Sequence, residues 1–122
     1  MSTITVANIK APGETTSRAV SGVAALGIDF DGSGTISIRD SVNVASIADN
    51  GTGDYTVNIT NNFANATYFI VCSSSNDAMS NTDSFANPFG ATTSLYKIGT
   101  NNNSGTATDR SHIHSIVTGD LA

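Results

Sequence analysis

From Tyr55 to Thr60 the side chains alternate strictly, with Tyr55, Val57 and Ile59 on one face and Thr56, Asn58 and Thr60 on the other. That is the two-residue period of a half-buried strand. Just before it stands the clearest turn signal in the chain: Asn50-Gly51 supplies positive φ, and Gly53 offers a second such position. The run ahead of the turn is apolar at Val42 and Val44 and again at Ala45, Ile47 and Ala48, and this change of parity near Ala45 predicts a bulge. The stretch therefore reads as a hairpin with one face committed to a core.

The rest of the chain continues in the same idiom. Ile4, Val6 and Ile9 alternate with polar residues until Pro12-Gly13 breaks the run, and 14–26 offers at most a short helical turn because glycines and β-branched residues interrupt it. Ile28 to Arg39 reads as a tight hairpin around Asp31-Gly32-Ser33-Gly34. Tyr68 to Cys72 is apolar without alternation, which predicts an interior strand covered on both sides. Residues 74–90 have no period and read as a long loop carrying Met79, Phe85, Pro88 and Phe89 as isolated anchors. Strands follow over 91–99 and, after the polar turn at 100–105, over 106–117. The sum is an all-β, antiparallel β-sandwich, jelly-roll-like, of about six to eight strands over 27–122, with an extended N-terminal arm over 1–26.

Composition narrows the function. Charged residues are 12% of the chain, while Ser, Thr and Asn supply 45 of the 122 residues, so the surface is built from hydroxyls and amides. Such a surface suits extracellular β-rich proteins and virion surfaces. Net charge is −5 with five scattered Lys and Arg, which excludes a nucleic-acid reader. No apolar run is long enough to span a membrane, and the N-terminus lacks the features of a signal peptide. The single Cys72, inside an apolar strand, reads as a buried structural thiol.

Residues 28–60, IDFDGSGTISIRDSVNVASIADNGTGDYTVNIT, then ATYFIVCSSS at 66–75, SGTATD at 104–109 and GDLA at 119–122 resemble a small domain found at the distal ends of tail-fibre proteins of tailed phages, marine and cyanobacterial ones especially. The resemblance covers about three quarters of the chain. It implies a homotrimeric virion structural protein, exposed to the medium, made in the host cytoplasm and without catalytic chemistry. Family members commonly end a long fibre chain, whereas only some 25 residues precede the domain here. The expectation is therefore a capsid decoration (cement) protein whose arm reaches over neighbouring subunits, bound to the major capsid protein. The alternative is a fibre tip recognising a host-surface glycan or protein, and a free carbohydrate-binding domain stands third.

Metal chemistry has two candidates. Asp29, Asp31, Ser33 and Asp40 follow the spacing of a calcium loop, but strand-like flanks and the missing final Glu favour a hairpin turn. His112 and His114 share a strand face about 7 Å apart; a solvated or interfacial face is the plainer reading, and a metal on a three-fold axis the sharper one. No cofactor is expected. One Glu, one Cys and neighbouring histidines, without a nucleophile elbow or phosphate loop, speak against an enzyme. The expected partner-binding residues are Ile4, Val6 and Ile9 on the arm and Phe85, Pro88 and Phe89 in the long loop.

Overall fold

The alternating run Tyr55 to Thr60 becomes a strand with one buried face, whereas of the run at 4–9 only Asn8–Ile9 is a strand and its apolar residues are exposed. The computed structural model describes residues 2–9, 12–13, 18–19, 22–76 and 84–122. The strands are β1 (Asn8–Ile9), β2 (Arg18–Ala19), β3 (Ala24–Asp31), β4 (Ser37–Val42), β5 (Val44–Gly51), β6 (Asp54–Ile59), β7 (Phe69–Ser75), β8 (Ser84–Phe89), β9 (Leu95–Asn102) and β10 (His112–Thr118). They form two four-stranded antiparallel sheets, β4-β3-β10-β7 and β5-β6-β9-β8, plus a separate β1-β2 ladder. The fold is an antiparallel β-sandwich. Its first and last strands, β3 and β10, lie side by side, as they do in a jelly roll.

The core is the meeting of the two inner faces. Leu26, Ile28 and Phe30 of β3 and Ile113 and Val117 of β10 pack against Tyr55, Val57 and Ile59 of β6 and Tyr96 and Ile98 of β9. Phe30 meets Tyr55 edge to face with centroids 5.2 Å apart, an arrangement that ties one sheet to the other. Tyr96 hydrogen-bonds Ser115 across the same gap, satisfying the one hydroxyl β10 turns inward.

The bulge expected near Ala45 is present: register steps from Val44↔Ile59 to Ser46↔Asn58. Val42 to Ala48 is nevertheless not one strand. Asn43, at φ 59, turns the chain from the first sheet into the second. Its Oδ1 accepts from the Asn61 N–H at 2.7 Å, and its Nδ2 donates to the Asn61 carbonyl at 3.1 Å.

Three further expectations need correction. Tyr68 to Cys72 is not an interior strand. β7 lies at the edge of its sheet, with Ile70 and Cys72 inward and Phe69 and Val71 open. An apolar run signals two apolar faces, and it does not say that both are covered within one chain. The expected loop over 74–90 is a strand at each end: Ser74 and Ser75 close β7, and β8 pairs with β9 from Ser84↔Asn102 to Phe89↔Lys97. Met79 lies outside the described residues. Within 14–26, where at most a short helical turn was expected, Arg18 and Ala19 are extended and pair with β1, and Gly22 has 3-10 helical conformation. β3 begins at Ala24, ahead of the boundary at 27, because Leu26 belongs to the core. Among the described residues no helix is long and apolar enough to cross a membrane.

Candidate functional site

Antiparallel register arranges the outer face of the first sheet in rows. One row runs Val71, Ile116, Gly27, Val42, and the next runs Ser73, His114, Asp29, Asp40. The first is apolar and open, with Val71 71%, Val42 63% and Ile116 57% exposed, and Phe69, 79% exposed, stands beside it. Gly27, lacking a side chain, leaves a groove of about 250 Å³ between Ile116 and Val42.

The polar row is organised by a bulge. Between β3 and β4 the register steps from Asp29↔Asp40 to Phe30↔Ile38, so Arg39 is the extra residue. A bulge re-aims the side chain it carries, and Arg39 reaches across the face. One guanidinium nitrogen lies 3.0 Å from Asp31 Oδ2, and the other lies 3.5 Å from Asp29 Oδ1 and 3.3 Å from His112 Nδ1. His114 Nδ1 is 3.4 Å from Asp29 Oδ1. Asp29 and Asp40 are like charges directly opposite, an unfavourable pairing that Arg39 relieves. These groups are about one-third exposed, so each ion pair contributes about 0.2–1 kcal/mol.

The calcium-loop pattern is thus a β-hairpin. Asp31 Oδ1 accepts from the Ser33 N–H at 2.8 Å and from its hydroxyl at 2.6 Å. The Ser33 hydroxyl, and with it Arg39, holds the Asp31 carboxyl below the usual range. Asp40 turns to the Ser41 N–H at 2.8 Å. The two histidines do share a face, with rings stacked at 6.3 Å. Sequence reading did not bring Asp29 and Arg39 to them; that requires the pairing of β10 with β3 and the bulge in β4. Among the described residues, the donor atoms of Asp29, His112 and His114 all lie within 4.8 Å of one another.

The short motifs meet at one end of the sandwich. The Tyr55 hydroxyl lies 2.9 Å from Asp109 Oδ1 and 3.0 Å from the Gly32 carbonyl. The same Asp109 oxygen accepts from the Gly53 N–H at 2.8 Å. Thr100 N–H donates to the Gly53 carbonyl at 2.9 Å, and the Thr100 hydroxyl donates to the Thr108 carbonyl at 2.7 Å. Burial and the Asp109 carboxylate push the Tyr55 pKa well above its ordinary value, so this hydroxyl stays a donor. DGSG, GTGDY and SGTATD are therefore three parts of one knot, and the knot is structural.

At the opposite end Phe63 stacks on Tyr68 at 4.2 Å beside a cavity of about 310 Å³. The Tyr68 hydroxyl is turned to the Thr92 carbonyl at 2.8 Å. Ile4, Val6 and Ile9 are exposed on the arm. Phe85 and Phe89 are half-exposed on the edge strand β8 of the second sheet, with the Lys97 ammonium 5.7 Å above the Phe89 ring. Pro88 sits in that edge strand, a position that tolerates a residue with no N–H. No family model, no curated protein and no solved structure matches this chain.

Proposed function

We propose that the chain is a non-enzymatic structural protein of a tailed-phage virion, a homotrimeric decoration protein on the head surface that stabilises the capsid. The observation that carries this reading is the open apolar row Val42, Ile116, Val71 with Phe69 beside it. These four large apolar side chains are gathered on one sheet face, and that concentration calls for a neighbouring chain. Covering each contributes about 1.5–3 kcal/mol. The resemblance of residues 28–60 and 66–75 to phage fibre domains supports the class, and in a homotrimer this face would be the contact between copies.

A fibre-tip role is favoured by a different surface. On the outer face of the second sheet Asn58 Nδ2 donates to the Ser46 hydroxyl at 3.0 Å, and Asn50 Nδ2 donates to the Thr56 hydroxyl at 2.8 Å. Phe85 and Phe89 flank this face, so amides, hydroxyls and aromatic rings are together as a glycan requires.

The test is stoichiometry in purified virions, this chain against the major capsid protein. Decoration expects about one copy per capsid subunit, or about a third of that. A ratio of a few per cent overturns decoration in favour of the fibre tip. Absence from virions overturns both.

A further inference from the structure

We propose that the outer face of the first sheet binds a divalent transition metal of the zinc class, with Asp29, His112 and His114 as ligands and Arg39 as the cation that competes for the same atoms. The proposal stands on this face alone and does not depend on the virion reading.

The ligand set comes from two adjacent strands. His114 is the cross-strand partner of Asp29, and His112 is two residues along β10 on the same side. Two imidazole nitrogens and one carboxylate oxygen form a donor set that favours zinc-class ions over calcium or magnesium, which prefer all-oxygen sites. At metal–ligand bonds of about 2.1 Å, donor atoms around a tetrahedral ion sit about 3.4 Å apart. His114 Nδ1 and Asp29 Oδ1 are already 3.4 Å apart. The full set spans 4.8 Å at most, which small side-chain rotations close.

The face also has the charge for it. Asp29, Asp31 and Asp40 share the face with one guanidinium, a formal excess of two carboxylates over guanidinium. A cation already sits among the ligand atoms: Arg39 lies 3.3 Å from His112 Nδ1 and 3.5 Å from Asp29 Oδ1. A guanidinium can only donate, so a hydrogen bond in that contact requires the Nδ1 lone pair of His112 to face it, the orientation a metal uses. Arg39's short contact is the other one, 3.0 Å to Asp31. A metal displaces only its two long contacts and leaves the guanidinium anchored on Asp31. Three protein ligands leave a fourth position for water or for a group from another molecule.

The experiment is calorimetric titration of the untagged full chain with Zn²⁺, with the Co²⁺ visible spectrum as a report on the ligand set. The expected result is one Zn²⁺ per chain and Co²⁺ d–d bands. His112→Ala, His114→Ala and Asp29→Asn should each weaken binding by more than about tenfold. Arg39→Gln should tighten it, because the competing cation is gone; a merely structural arginine does not produce that gain. The side chains involved are partly exposed and outside the core, so far-UV circular dichroism should be unchanged in every variant. Absence of Zn²⁺ binding in both the wild type and Arg39→Gln overturns the proposal. So does binding that survives the double substitution of His112 and His114, or Ca²⁺ binding as tight as Zn²⁺. One metal per three chains overturns it as well, since histidines from three copies would then form the site.

Discussion

At the scale of single residues, the end knot shows why small motifs are spaced as they are. Gly53 sits at φ +67, and a Cβ there would lie 2.4 Å from the Thr100 carbonyl, which is backbone and cannot step aside. Gly34 has nearly the same φ, +61, with open space around it. Gly34→Ala should therefore cost about 1–2 kcal/mol for the left-handed backbone alone, and Gly53→Ala clearly more. Urea unfolding of the two variants checks the order. The core also carries a pH signature. Burial holds the Tyr55 and Tyr96 hydroxyls above the ordinary tyrosine value and pushes the Cys72 thiol up to about 12. In the unfolded chain these groups release protons from about pH 9 to 10, while the folded chain keeps them. The folded state then binds more protons, so stability is full below about pH 9 and declines as pH rises beyond it. A urea midpoint that stays flat from pH 8 to the alkaline limit would contradict this. Tyr55→Phe should lose about 1–3 kcal/mol at neutral pH, because it removes the buried hydroxyl donor shared by the Gly32 carbonyl and Asp109, and should show a shallower alkaline decline.

At the scale of elements, the decisive device is the corner at Asn43, which sends a continuous apolar run into two sheets. Asn43→Ala loses both side-chain bonds to Asn61 and places alanine in the left-handed region. Asn43→Gly loses only the bonds. The expected order of stability is wild type, Gly, Ala, with about 1–2 kcal/mol separating the last two, read from denaturation midpoints. The alternation of Tyr55–Ile59, the turn at Asn50-Gly51 and the bulge at Ala45 were legible in the sequence because each is fixed by neighbours a few residues away. The corner was not, since the parity change it shares with the bulge has two solutions. The edge position of β7 was hidden because an apolar outer side chain looks the same whether its cover is the same chain or another. His112 and His114 were visible as a pair. Asp29 joins them only through the β3–β10 register, and Arg39 only through a bulge that carries no local sequence mark.

At the scale of the whole molecule, the two faces of the sandwich are unequal. The first sheet shows an apolar row beside a charged one, and the second shows amides, hydroxyls and an edge with two phenylalanines. If copies associate through the first sheet, the melting temperature should rise with protein concentration. Val71→Glu should abolish that dependence without unfolding the chain, since its side chain points away from the core. A concentration-independent melting temperature in the wild type would sink self-association through this face. The pairing of β3 with β10 has a further consequence, in time rather than in space. Ala24 finds its partner in Thr118, 94 residues later, and at ribosomal speeds of about 5–20 residues per second that wait is about 5–20 s. Throughout it, β3 has β4 on one side and nothing on the other. The nascent chain is thus most adhesive while it is still being made, and the arrival of β10 is the event that closes the first sheet.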